Sequence, residues 1–390
     1  MLLMQASDML GTIIWFLMFF VFIFLYPRLM LSQLIYKIER SAVRMERMSQ
    51  DANKIVSKKI EKKYSKELKR KVDEFTDFFV VEPSNIDPYG LVRKIDETIR
   101  GMEKRFAQFV DDVVADKTEK EKKEINYGLR AAIGLRQISK IVRHNVELAK
   151  KFKNLQIAMI IQMQLPIIEE IADGEFRGVN AFLEGAPIGD SIGPLVAASL
   201  MENSKEISEE VVFGETSIKG RKCFVLKAKG PEPSLGRMDE ALEKIMKSHK
   251  ISKVITIDAA QKLEGEKSGS VAEGVGFAMG GIGQREIIEN VLLPKKMPID
   301  SIVVKVGMTE AIMPMKKEIF DSLPKVKQAI EKSVERSGKN EKLIIIGVGN
   351  SSGIGDNKKI MPEMEKTMKE IDAKYKKEQE EKKKRRRKWF

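Results

Sequence analysis

A chain of 390 residues has room for two domains with appendages, and its 70 Lys and Arg against 57 Asp and Glu give a formal charge of +13. That balance favours anionic partners, phospholipid or nucleic acid, without choosing between them. One cysteine, Cys223, excludes an intrachain disulfide framework and a multi-thiolate metal site, and the two histidines, His144 and His249, have no neighbouring ligand set for a zinc site or a triad.

Residues 1–31 read as a transmembrane anchor. From Met9 to Tyr26 the chain is almost unbroken Leu, Ile, Phe, Met, Val and Trp, with no charge between Asp8 and Arg28. That length suits a span, extended to Leu31 when Arg28 snorkels, and Trp15 and Arg28 are its expected membrane contacts. A cleaved signal peptide would need a basic start and a small-residue cleavage site, and neither is present. Arg28, Lys37, Arg40, Arg44 and Arg47 follow the span, so the positive-inside rule puts the amino terminus outside and the bulk of the chain in the cytoplasm.

In residues 32–74, Ile38, Ser41, Met45, Met48, Ala52 and Ile55 recur by three and four, the seam spacing of a coiled coil. The expectation is a solvated helical stalk, with self-association through the seam or contact of its basic residues with anionic lipid as its uses. Residues 75–173 read as an antiparallel helical module: Glu82 to Gly90 is turn chemistry, and helical periodicity resumes from Leu91. The Met- and Leu-rich stretch from Leu155 to Leu165 reads as ordinary core.

From Gly174 to Asn357, β-branched runs alternate with helical patterns. The expected strands are Val179–Leu183, Val211–Phe213, Cys223–Ala228, Val254–Ile257, Ser301–Val306 and Leu343–Gly347. The alternation predicts a three-layer α/β domain on a mainly parallel sheet. Cys223 lies within an apolar run and reads as a buried structural thiol.

Two aspartates stand where ligands bind such sheets. Asp190, in Gly189-Asp-Ser-Ile-Gly-Pro194, follows one expected strand, and Asp258 ends Val254-Ile-Thr-Ile257. Each has a plain alternative, helix capping for Asp190 and turn formation for Asp258. Converging, they could share a proton or bind a divalent metal, and either arrangement activates water against a carbonyl. Gly189 and Gly193, the loop with Gly280, Gly281 and Gly283, and the loop with Gly349 and Asn350 supply backbone amides suited to an anion. The last loop lacks dinucleotide-fingerprint spacing. Lys227, Lys229 and Arg237 flank Gly230 to Gly236, where they could bind an acidic substrate group but read first as a solvated rim.

These same residues carry a resemblance. Gly189 to Pro194 with the small-residue run after it, and Thr256-Ile-Asp-Ala259, resemble the germination protease and hydrogenase maturation protease group. This implies a phosphorylase/hydrolase-like fold with Asp190 and Asp258 in the active site. No histidine matches the metal ligand of the hydrogenase proteases. The whole layout, with Phe78-Phe-Val-Val-Glu-Pro83 and Asp87-Pro88, resembles an archaeal membrane-protein family carried as domain of unknown function 1512, which implies an architecture and no activity.

Residues 358–390 read as a charged helical or disordered tail ending in Lys382-Lys-Lys-Arg-Arg-Arg-Lys388, suited to anionic lipid, RNA or ribosomes. The functional expectation is a membrane-anchored cytoplasmic peptidase-like hydrolase using the aspartate pair, with a non-catalytic tethered scaffold or binding module as the alternative.

Overall fold

The computed structural model describes residues 2–60, 65–78, 91–275 and 291–387. The amino-terminal half is helical: α1 Leu2–Phe24, α2 Tyr26–Ile60, α3 Lys66–Phe78, α4 Leu91–Val113, α5 Glu119–Phe152 and α6 Leu155–Leu183. α1 passes into α2 with its hydrogen-bond ladder nearly intact, Leu25 N–H donating to Val21 and Leu29 N–H to Leu25. The helix is interrupted at Leu25, two residues before Pro27, which has no amide to donate. From Ile13 to Tyr26 every large apolar side chain of α1 and its junction is exposed, Trp15 by 59%. A run of this kind is stable only in an apolar surrounding.

The seam on α2 does exist, but its partners lie in the same chain. Ile38, Met45, Ala52 and Val56 are fully buried, packed against α5 and α6 in a three-helix bundle with one continuous core. Residues 32–60 are therefore bundle helix, not a solvated stalk. The opposing face of α5 repeats at the same spacing, with Ile125, Leu129, Ala132, Val142, Val146 and Ala149 all buried. α5 starts on a capping box in which Thr118 Oγ1 accepts the Glu121 N–H and the Glu121 carboxylate accepts the Thr118 N–H. It ends at Lys153, in the left-handed region at φ 47°, and Asn154 Oδ1 immediately caps α6 through the Gln156 and Ile157 amides. Two residues thus reverse the chain between the two long helices.

α5 runs antiparallel to α2, with Arg143 bridging Glu39 and Glu46 at 2.5 and 2.6 Å. α6 runs parallel to α2: Ser41 donates to Glu169, Arg44 to Asp173, and Lys59 Nζ to the Leu183 carbonyl. Val179–Leu183, expected as a strand, is the last part of α6. Its apolar run faces the bundle core and not a sheet.

The second unit is a seven-stranded sheet: β1 Lys205–Ser208, β2 Val211–Ile218, β3 Arg221–Ala228, β4 Lys253–Gln261, β5 Val271–Val275, β6 Ile299–Val306 and β7 Lys342–Gly347, in the order β1-β2-β3-β7-β4-β6-β5. The expectation of a mainly parallel sheet is wrong. The central pairings β3/β7, β7/β4 and β4/β6 are parallel, whereas β1/β2, β2/β3 and β5/β6 are antiparallel, so the sheet is mixed. Chain connection is the physical reason for β2/β3. Lys219 and Gly220, both at positive φ (49° and 75°), form a two-residue hairpin turn, and so short a link permits only antiparallel neighbours.

One sheet face carries α7 Ile192–Leu200, α10 Leu323–Glu335 (after the short α9 Lys317–Phe320) and the start of α11 Met361–Arg387. The other face carries α8 Met238–Ser248. Met364, Met368 and Ile371 of α11 are buried in the first of these layers, so the tail begins as part of the domain.

α7 is pressed onto the sheet to a degree only glycine permits. A Cβ on Gly193 would lie 2.0 Å from the Val348 carbonyl oxygen and 2.6 Å from that of Ile257. Gly193→Ala should therefore force α7 off the strands and lower unfolding stability by about 3 kcal/mol, the upper end of overpacking costs. Denaturant unfolding of the purified chain in detergent checks it.

Candidate functional site

Three backbone segments meet above the carboxyl ends of the parallel strands. One is the turn Gly189–Ser191 leading into α7, the second is β4 at Ile257 and Asp258, where its pairing with β7 stops although β4 itself runs on beside β6 to Gln261, so Asp258 is inside a strand and not at its tip, and the third follows β7 from Val348. The Val348 N–H donates to the Ile257 carbonyl at 2.8 Å, extending the β7/β4 ladder by one bond. The turn is itself pinned from below. Asp190 N–H donates to the Ala311 carbonyl, Gly189 N–H to that of Met313, and Met315 N–H to that of Pro187. Asp190 therefore stands in a helical turn after α6, not at a strand tip.

Asp190 is partly buried, and its Oδ2 accepts the Asn350 N–H at 2.8 Å. Burial pushes its carboxyl above the ordinary aspartate value, while the Asn350 amide pulls the other way. Gly349 makes that bond attainable: its φ of +123° lies outside the range of other residues, and a Cβ there would meet the Asp190 carbonyl oxygen at 2.1 Å.

Asp258 sits differently. It is 1% exposed, and its Oδ1 accepts the N–H of the next residue, Ala259, at 2.7 Å. Side chains alternate along β4: Ile255 and Ile257 pack in the layer with α7, and Val254 in the layer with α8. The same alternation turns Thr256 and Asp258 to the α8 side, where the Thr256 hydroxyl is 2.9 Å from that of Ser301. The fold thus gathers the backbones of Gly189, Asp190, Gly193, Asp258, Gly349 and Asn350, and gives the two carboxylates separate hydrogen bonds. Gly280, Gly281 and Gly283 lie outside the described residues. Among the described residues no group of three or more His, Cys, Asp or Glu side chains could hold a metal.

The glycine-rich loop after β7 is committed inward. The N–H of Asn350 goes to Asp190, that of Ser351 to the Ser234 carbonyl, and that of Ser352 to Asn350 Oδ1. The N–H of Gly353 goes to the Pro231 carbonyl and that of Ile354 to Ser351. Five consecutive amides have protein acceptors, which leaves none of them to cradle an anion. The loop fastens the segment from Gly230 to Ser234 through Ser351 Oγ, which bonds the Lys229 and Glu232 carbonyls.

Lys227, expected on a solvated rim, is fully buried. It pairs with Asp356 at 2.8 Å, and the same carboxylate oxygen accepts the Gly230 N–H. Burial pushes the Lys227 ammonium below its usual value, with Asp356 opposing. No spacing in the sequence signals a pair 129 positions apart. Cys223 is buried, its thiol pushed up to about 11 by burial, and His249 stacks on Phe224 at 4.6 Å. Neither is placed for nucleophilic chemistry.

The two units, a helical bundle and a mixed α/β domain with a closed glycine crest, define a two-domain protein with an apolar amino-terminal helix. Residues 12–185 match the model of the N-terminal domain of the protein family of unknown function DUF1512, and residues 188–355 match that of its C-terminal domain. The chain belongs to the DUF1512 family, and the division between the two models falls just after α6. No curated protein and no solved structure matches the chain, so neither the germination-protease resemblance nor an archaeal origin gains support from relatives.

Asp190 sets a pH signature. Its folded pKa lies above its unfolded one, so the stability it contributes is complete below the unfolded value and is lost as pH rises through the folded value. Asp190→Asn keeps an acceptor for Asn350 and should flatten that loss. Asp190→Ala strips the acceptor and should cost about 1–3 kcal/mol, the penalty of an unsatisfied buried amide. Urea unfolding of both variants at acid and neutral pH separates the two effects.

Proposed function

We propose that the chain is a membrane-anchored scaffold: α1 crosses a bilayer, the bundle stands on its inner surface, and the α/β domain is a ligand- or protein-binding module held above it. The observation that carries this reading is the continuity of α6. Its middle is locked to α2 through Glu169 and Asp173, and its later turns bear directly on the α/β domain. At Gly174 an added Cβ would meet the Thr309 side chain at 2.8 Å, and at Gly178 the Ile312 carbonyl oxygen at 3.1 Å. Such close contact makes the module a rigid extension of the bundle, as a positioning role requires.

On this reading Trp15 lies within the span, Arg28 marks the inner interface, and the basic residues of α2 keep the bulk of the chain cytoplasmic. The basic end of α11 is assigned to lipid and not to RNA because of its direction. Lys374 pairs with Glu184 and Glu378 with Arg177, so α11 runs antiparallel to α6 and heads back toward the anchor. Self-association through the α2 seam is not part of the proposal, since α5 and α6 fill that seam.

A second reading, a peptidase-like hydrolase, has one observation in its favour. Asp190 keeps a carboxyl of raised proton affinity at the crest, with only Oδ2 bonded among the described residues, and perturbed carboxyls concentrate at functional sites. In that case Asp190 would pass a proton to or from water. A joint role with Asp258, as a proton-sharing pair or as oxygen ligands of a divalent metal, would require Asp258 to turn from the α8 side.

The scaffold reading expects the full chain to stay with membranes through alkaline carbonate extraction, and Leu17→Arg/Phe20→Arg to move it to the soluble fraction. It also expects no Asp190-dependent cleavage of a peptide library by vesicle-reconstituted protein, with or without magnesium, manganese or zinc. Turnover abolished by Asp190→Asn with no loss of stability would transfer the assignment to the hydrolase.

A further inference from the structure

Exposed large apolar side chains gather in two places among the described residues. One is α1. The other is the start of α6, where Met159, Ile160, Met163 and Ile167 form a single stripe exposed by 47 to 73%. No charged residue occurs from Asn154 to Ile168, in a chain whose residues are 33% charged. A helix face turned to water is normally polar, so this stripe is not built for water. Phe152, 60% exposed at the α5–α6 turn, extends it.

Register places the stripe. Ser41 meets Glu169 and Arg44 meets Asp173 across two parallel helices. Carried back at the same offset, Leu155 is level with about residue 27, where α1 gives way to α2, and at about 1.5 Å per residue the stripe covers the next two or three turns. The surface that leaves the bundle apolar is therefore the surface beside the exit of the anchor.

Charge supports the same occupant. Lys151 and Lys153 flank Phe152 at the turn and are exposed. An open groove between α2 and α6 runs alongside, in which Lys37, Arg40, Arg44 and Arg47 outnumber Glu39, Asp51 and Glu169. Anionic headgroups complement this border. A second copy placed over the stripe would bring like charges to Lys151 and Lys153.

We propose that the α5–α6 turn and the charge-free start of α6 insert into the headgroup and upper acyl layer of the bilayer that α1 spans, so that the protein holds the membrane at two points. The proposal rests on the reading of α1 as an anchor. Two contacts fix the orientation of the bundle on the surface, which a single helix joined through the break at Leu25 would not.

The test uses the full chain in vesicles of phosphatidylcholine and phosphatidylglycerol that carry a photoreactive phospholipid, with labelled peptides mapped by mass spectrometry. Lipid adducts are expected both on α1 and on residues 152–167. Ile160→Glu/Met163→Glu, at exposed positions, should lower the α6 adducts several-fold and leave those on α1 and the melting temperature unchanged. Adducts on α1 alone would overturn the second contact and keep the anchor, whereas adducts on neither would remove both. Intermolecular α6–α6 crosslinks in place of lipid adducts would give the stripe to a second copy and overturn the proposal.

Discussion

The structure depends on the burial of α6 along one continuous helix by neighbours from both units. Its central turns complete the core of α2 and α5, its later glycines admit the loop from Thr309 to Ile312, and its last turn packs Leu183 against Gly128. A helix of 29 residues fixed at several levels transmits orientation, because bending it would break packing and backbone hydrogen bonds together. The placement of the α/β domain relative to the bundle follows from that one element.

The crest of the domain is governed by backbone proximity. Gly193 lets α7 touch β4 and β7, and Gly349 lets the loop after β7 reach Asp190. The glycines that suggest an open phosphate or anion cradle thus serve contacts in which main chain meets main chain. Glycine is required in both situations for the same steric reason, and glycine content alone does not separate a vacant loop from a filled one. Asp190 is the exception in this closed arrangement, a carboxyl that burial disfavours in its charged form and that one amide holds in place.

Much of the chain was legible because periodicity reports local geometry. The apolar runs at Cys223–Ala228, Val254–Ile257 and Leu343–Gly347 lie in β3, β4 and β7, since strands buried on both faces have no polar side to interrupt them. β1 and β5 were not legible: both are short and edge-lying, β1 is largely polar, and β5 is interrupted by Glu273 and Gly274, with burial too slight to leave a pattern. Val179–Leu183 is as apolar as those strands and is helical. A short apolar run cannot by itself declare which kind of neighbour will cover it.

The sequence by itself determined the apolar amino-terminal helix, the seam on α2 and the central strands, because each is written in the spacing of apolar residues along a local segment. Only the tertiary structure decided that the seam closes on α5 and α6, that the sheet is mixed, that Lys227 is buried against Asp356, and that Asp258 turns to the face opposite α7. Those outcomes depend on which distant segment arrives to share a surface. Pairings of that kind, set by chain connection and by the close approach that glycines allow, leave no periodic trace in the residues that make them.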